Sequence, residues 1–348
     1  MPEIDFIIVG QGLAGSFLAH ELIRRQCKIV VFDEGVANTS SKVAAGIFNP
    51  VTGQRMALSW NALPIFSFLD KFYKELETIL DRQFYHPIGI YKPFMQIKDQ
   101  NDWMGRSTDP TFIPFIKQLH VSPLHDRLLT HHLGGVELNH AGYVNTITLL
   151  NAFRQFFEKK NMYIQQKFLH DSLYLSERSI TYGEIKAGKV IFCEGSSAVQ
   201  NRFFNKLPFG LVKGEILKIN SGLVPNQIIS KDIFLLPSND STIKIGATYD
   251  RSRIDDVITE EAKSYLMDKL KLIFKPEFEV VDQQAGIRPA TKDRRPFVGL
   301  HPDNKLIGIF NGFGTKGISL GPYYAKQFAD HLLNQQIIDK EADIRRYI

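Results

Sequence analysis

Apolar positions along this chain follow two periods, and the N-terminal segment shows both. Residues 5–9 (DFIIV) form a short apolar run that stops at Gly10, the pattern of a buried strand. Residues 12–26 then place Leu13, Phe17, Leu18, Leu22 and Ile23 at helical spacing. Residues 28–32 (KIVVF) return to a β-branched run, which predicts a second strand. Strand, glycine turn, helix and strand make one βαβ unit, because parallel pairing of the two strands requires a crossover.

Farther along, residues 60–80 and 145–160 read as helices, the second with Asn145 or Thr146 as N-cap and Leu150, Phe153 and Phe157 on one face. Residues 190–192 form a short apolar strand. Residues 214–219 (GEILKI) and 243–249 (IKIGATY) predict strands of an antiparallel layer, and 259–274 an amphipathic helix with acids in its first turn. A last strand over 305–310 leads through glycines into a helix over 321–333.

Composition narrows the class. The 348 residues suffice for one large domain or two interleaved ones, and 44% hydrophobic with 23% charged residues is an ordinary globular balance. The 26 Phe and 12 Tyr point to aromatic-lined pockets as well as core. A net charge of +5 suits an anionic cofactor or substrate without demanding nucleic acid. Cys27 and Cys193 form no CxxC pair, and the histidines, including His131, His132 and His140, show no HxxH or HExxH spacing. Neither a disulfide framework nor a metal site is expected. The N-terminus lacks the basic start and apolar stretch of a signal peptide, and no segment approaches a membrane span, so a cytoplasmic location is expected.

The chemistry begins at Gly10-Gln11-Gly12-Leu13-Ala14-Gly15, a GxGxxG between the first strand and helix. Its glycines permit the tight turn, the approach of backbone to a pyrophosphate, and close helix–strand packing. The helix N-terminus offers unpaired N–H groups and a positive dipole end to the phosphates. Asp33 ends the second strand, 18 residues after Gly15, where a carboxylate can accept from both ribose hydroxyls and disfavours a 2′-phosphate. The motif alone does not separate FAD from NAD.

Three later segments do. Residues 40–50, Ser40-Ser41-Lys42-Val43-Ala44-Ala45-Gly46 onward, resemble the S-x-x-A-A-G segment of the D-amino-acid oxidase/glycine oxidase (DAO) superfamily. Residues 286–299 are similar to its G-x-R-P-x-T-x-D-x-x-P-x-x-G signature, and residues 311–318 (NGFGTKGI) to its C-terminal flavin loop. The resemblance runs from residue 4 to about 333 and is least clear over 56–139.

It implies noncovalent FAD, held by Gly10, Gly12, Leu13, Ala14, Gly15, Asp33, Glu34, Ser40, Ser41, Ala45, Gly46, Phe168, Gly195, Arg288, Gly312, Gly314, Thr315, Lys316, Gly317 and Ile318. It also implies an α/β fold (α+β overall) in which a Rossmann-like FAD-binding domain is interleaved with an antiparallel-sheet substrate domain. The expected division gives residues 1–55, 140–200 and 285–348 to the first and 56–139 and 201–284 to the second.

In amino-acid-oxidising relatives the arginine of the R-P signature, here Arg288, binds the substrate carboxylate through its planar fork. The alternative is an arginine that ties down its own hairpin. Lys316 stands where some relatives have arginine and can contact substrate, the flavin edge or solvent. Phe234 replaces a tyrosine whose hydroxyl helps hold a carboxylate, which puts a simple amino acid in doubt. Tyr249 can line the pocket or pack in the sheet. Asp250, Asp255 and Asp256 read as a solvated loop, and no obligate acid or base is assigned.

The expected reaction is oxidation of a C–N bond of an amino acid or secondary amine, with hydride transfer to flavin N5 and hydrolysis of the imine. Oxygen, a quinone or a partner protein would accept the electrons. Two alternatives stand beside it. One is an oxidase acting on the carboxymethylaminomethyl group of a tRNA wobble uridine: residues 314–317 resemble that subfamily's loop, although no basic run interleaved with aromatics is present. The other is a flavin-binding protein without catalysis.

Overall fold

The computed structural model describes residues 3–53, 56–238 and 240–347. The βαβ unit forms as its pattern dictates. Strand Glu3–Val9 pairs in parallel with Ile29–Asp33, and helix Leu13–Arg24 crosses between them with Phe17, Leu18 and Leu22 fully buried. The parallel part of this sheet runs in the order Tyr163–Gln165, Ile29–Asp33, Glu3–Val9, Ile185–Phe192, Ile307–Asn311, and Phe297–Leu300 is added antiparallel at the far edge. One face is covered by helices Leu13–Arg24, Ala62–Leu80, Thr146–Lys159 and Gly317–Asn334 through Phe17, Phe72, Tyr73, Phe153 and Phe328. On the other face Phe32, Phe168, Tyr182, Phe192 and Phe204 form a second core.

A second sheet has the order Phe278–Arg288, Val212–Ser221, Thr242–Gly246, Ile233–Pro237, Ile228–Lys231, Ile90–Pro93, Gly135–Leu138, Ile116–His120. All neighbours are antiparallel except Ile228–Lys231 with Ile90–Pro93. Alternation along these strands separates its faces. Leu217, Ile219, Leu235, Ile243 and Ile245 pack on helix Glu260–Ile273 through Leu266, Leu270 and Ile273. The intervening residues look toward the parallel sheet and the cleft described below.

Helix ends follow local chemistry. Asn145 caps Thr146–Lys159 by accepting from the Thr148 N–H at 3.1 Å, and Thr259 caps Glu260–Ile273 by accepting from Ala262 at 3.2 Å. The last helix departs from its expected start at residue 321 and begins at Gly317, with Pro322 inside it. Proline cannot donate to the carbonyl of Ile318, four residues back. That carbonyl is taken instead by the buried hydroxyl of Tyr73, at 2.6 Å.

Packing departs from the expected domain division in two places. Helix Ala62–Leu80 falls in the segment expected with the substrate half, yet it buries Phe72 and Tyr73 against Phe17 of the nucleotide unit. Strand Phe278–Arg288 runs unbroken across residue 285, because it pairs with Val212–Ser221 over its whole length. Among the described residues, no helix is long and apolar enough to cross a membrane.

Candidate active site

A cleft of about 870 Å³ lies between the two sheets, at the C-terminal ends of the parallel strands. Open α/β sheets bind ligands there, because helix N-termini and connecting turns converge outside the strand ends.

The turn after the first strand builds one wall. Gly10 has φ +102°, and a Cβ on it would stand 2.5 Å from the Cys193 carbonyl oxygen. A Cβ on Gly15 would meet the Gly10 carbonyl oxygen at 1.9 Å, so Gly15 lies behind the wall as a packing residue. Gly12, the N-cap, supplies no side chain to the helix start. The Leu13 N–H is 3.2 Å from Ser41 Oγ, and Gly12, Leu13 and Ala14 face the cleft. Asp33 stands at the same end, its carboxylate accepting from the Gln11 and Gly35 N–H groups, each at 2.7 Å. A helix start that carries only the Ser41 hydroxyl, beside a fixed carboxylate, suits a pyrophosphate and its ribose.

Ser40, Ser41, Ala45 and Gly46 line the next part of the cleft. Gly46 has φ +72°, and its missing Cβ would be 1.9 Å from the Val144 carbonyl oxygen. Opposite stands the loop that opens helix Gly317–Asn334, with Gly314, Thr315, Lys316, Gly317 and Ile318 on the wall. No side chain caps this helix, and no acid sits in its first turn. The positive end of its dipole therefore meets no acid of its own and favours negative charge in the cleft. Burial pulls the Lys316 ammonium below its ordinary pKa, and Arg295 and Arg294 add to this.

Arg288 lies at the end of its strand, flat over Gly214. A Cβ on Gly214 would be 1.9 Å from the guanidinium Nη2, so any side chain there would displace the guanidinium from this position. Arg288 Nη1 donates to the Thr248 carbonyl at 3.1 Å. Among the described residues, no carboxylate pairs with it. Burial pulls its pKa down, with Tyr249 acting in the opposite sense. A desolvated guanidinium with one neutral acceptor retains donors for an anion from the cleft.

Gly195 and Phe234 also line the cleft, as does Tyr249, which is 55% exposed and stacks with Arg251. Three expected contacts lie elsewhere. Glu34 faces solvent near Lys167, Phe168 stacks on Tyr182 at 4.0 Å within the second core, and Gly312 lies against Thr291 and Phe297. The loop acids do not form a pair: Asp255 holds the buried Lys213 at 2.6 Å, and Asp250 caps its own turn through Ser252.

Sequence reading did not single out Lys92 or Ser230, although both line the cleft. The Lys92 Nζ is 3.5 Å from Ser230 Oγ. Burial pulls its pKa down to about 8, and the neighbouring Lys231 adds to the effect.

The family described as DAO, FAD dependent oxidoreductase, matches residues 5–331. The chain is 24% identical over 363 residues to a glycine oxidase of Pseudomonas aeruginosa, covering 96% of each protein. Its fold superposes on glycine oxidase from Geobacillus kaustophilus with a TM-score of 0.82 at 18% identity, covering 100% of this chain and 98% of that one. Iminodiacetate oxidase from Chelativorans sp. BNC1 gives 0.81 at 19% identity, covering 98% of each.

Proposed function

The chain belongs to the DAO family of FAD-dependent oxidoreductases, and we propose that it oxidises the C–N bond of an amine bearing a carboxylate, an amino acid or an N-substituted one. The observation that carries this reading is Arg288, a half-buried guanidinium open to the cleft and, among the described residues, without an acidic partner. Uncompensated buried charge is costly, so such a group is retained where a ligand completes it.

The residues divide the work along the cleft. Ala14 and Leu13 at the helix start, with the Ser41 hydroxyl to which the Leu13 N–H donates, would hold the pyrophosphate, and Asp33 the adenosine ribose. Ala45 and Gly46 leave room for a flat ring against backbone, while the open start of helix Gly317–Asn334 favours negative charge on it. Bound FAD supplies the two-electron acceptor.

Arg288 would hold the substrate carboxylate by its fork, leaving the α-carbon directed at the ring position. Gly214 presents no side chain, so the guanidinium lies close to the sheet, and Ile216 and Phe234 close over Gly246 beside it. No side-chain base is assigned: an amine that arrives deprotonated needs none, and water hydrolyses the imine product.

The direct test is an anaerobic panel of amino acids, N-alkyl amino acids and simple amines mixed with the purified yellow holoenzyme. Bleaching of the flavin absorption by carboxylate-bearing amines, and not by their decarboxylated counterparts, is expected. Equal bleaching by both would remove the assigned role of Arg288.

A further inference from the structure

The cleft has a second positive pole besides Arg288, and the sheet register locates it. Across its strands Ile216 pairs with Gly246, Gly246 with Phe234, and Phe234 with Ser230. Ile228 pairs with Ile90 and Ile229 with Tyr91, so the same register sets Ser230 beside Lys92. Directly paired residues share a face. Ile216, Gly246, Phe234, Ser230 and Lys92 thus form one row, and each lines the cleft.

Arg288 sits at one end of this face, over Gly214 and bonded to Thr248. Lys92 sits at the other, against Ser230. The strand of Ser230 lies two places from Thr242–Gly246 and three from Val212–Ser221. At roughly 4.8 Å per strand, and with Gly214 and Thr248 each two residues or about 6.6 Å along from that row, the cationic heads are about 12–16 Å apart. Between them Phe234 and Ile216 form an apolar floor, closing over Gly246.

Among the described residues, no acid pairs with Lys92. Its other paired neighbour is Val136, and the charge that acts on it is that of Lys231, a like one. Lys231 is itself held by Asp99 at 2.9 Å. The cleft's acids are engaged elsewhere: Asp33 accepts from the Gln11 and Gly35 amides, Asp232 lies 3.5 Å from Lys269, Glu194 is 2.6 Å from His170, Asp255 holds Lys213, and Asp256 stays on an exposed loop.

We infer that Lys92, with Ser230, forms a subsite for a second carboxylate, so that the preferred substrate is a dicarboxylic amino acid spanning the floor from Arg288 to Lys92. This rests on the amine-oxidase reading for the reaction, although not for the binding. An ammonium and a guanidinium each contact a carboxylate at about 2.8 Å between heavy atoms. A backbone of a few carbons between two carboxylates fills the rest of the span. Phe234, which supplies no hydroxyl, fits as floor beneath the linking carbons.

The test compares acids with their neutral amides of the same length: aspartate with asparagine, and glutamate with glutamine, in both enantiomers, by anaerobic reduction of the holoenzyme. The terminal acid should exceed its amide in kcat/KM. Lys92→Met, close in shape, should cut that acid-to-amide ratio roughly 10- to 100-fold, and Lys92→Arg should restore part of it. Ser230→Ala should lower the ratio by a smaller factor and serves if Lys92→Met folds poorly.

A second readout does not depend on turnover. Binding of glutarate and of its monoamide is followed by perturbation of the oxidised flavin spectrum. Glutarate should bind more tightly, and Lys92→Met should erase the difference. If no amine bleaches the flavin yet glutarate still discriminates through Lys92, the reaction fails and the subsite stands. Amides that bind and react as well as acids, or a ratio that Lys92→Met leaves unmoved, would overturn the subsite.

Discussion

The hydroxyl of Tyr73 donates to the carbonyl oxygen of Ile318 at 2.6 Å, in the helix turn that Pro322 leaves without its donor. Tyr73 is fully buried, and burial pushes its phenol well above the ordinary pKa, so it remains a donor at every working pH. Helix Ala62–Leu80 in this way fixes the start of the helix whose first turn lines the cleft. Tyr73→Phe leaves a buried carbonyl unsatisfied and should cost about 1–3 kcal/mol. The expected result is a lower Tm together with weaker FAD retention; a variant with wild-type Tm and flavin affinity would disprove the coupling.

Gly214 sets the position of Arg288. Since a Cβ there would stand 1.9 Å from the guanidinium, Gly214→Ala must push the side chain off its bed. We expect kcat/KM for a carboxylate-bearing amine to fall roughly 10- to 100-fold, as for misplacement of an orienting group. FAD content, read from the ratio of flavin to protein absorbance, should stay near that of the wild type.

Gly12 and Gly15 separate cofactor approach from packing. A Cβ on Gly12 meets Ser41 Oγ at 3.1 Å, whereas one on Gly15 meets the Gly10 backbone at 1.9 Å. Gly12→Val should therefore fold but lose most of its FAD, because the branched side chain blocks backbone approach to the pyrophosphate. Gly15→Ala should lose Tm as well. Thermal melts and flavin release on heating distinguish the two, and full FAD retention by Gly12→Val would contradict the assignment.

How much of this was legible in the sequence depends on the range of the contacts. The βαβ unit, its glycines and Asp33 were readable because one local pattern specifies them. Asn145 was readable as a cap for the same reason, whereas Thr259 was placed only within its helix. Arg288 was marked by the motif around it, but its bed at Gly214 is set by strand pairing. Lys92 carried no local signal: IYKP has no period that tells its faces apart, and Ser230, its partner in the register, lies 138 residues on. Helix Ala62–Leu80 was visible as a helix, while its place beside Phe17 was not. The start of the last helix was hidden because glycines and Pro322 weaken its first turns, and the compensating hydroxyl comes from Tyr73.

Lys92 also predicts a pH dependence. Burial, with Lys231 beside it, lowers its pKa to about 8, so the cation is present below that pH and lost above it. Ser230 and Val136, the paired neighbours, do not titrate. Affinity for glutarate should fall as pH rises through about 8 in the wild type. Lys92→Arg should hold its affinity to higher pH, because a guanidinium stays protonated. Spectral titrations at pH 7 and 9 check this, and equal losses in both proteins would assign the titration to another group.

Whether Arg288 anchors the substrate carboxylate is tested most directly by anaerobic flavin reduction by an amino acid and by its decarboxylated amine. The two are compared in the wild type, Arg288→Ala and Arg288→Lys. Removing a charge-assisted buried partner costs about 2–5 kcal/mol, so kcat/KM for the amino acid should fall roughly 30-fold to several-thousand-fold in Arg288→Ala. Arg288→Lys should recover part of it, because an ammonium keeps the charge without the fork. The amine should be a poor substrate throughout and lose little, with FAD content near wild type in every protein. Equal losses for both substrates, or loss of the flavin itself, would show that Arg288 positions the cofactor or the fold and not the substrate.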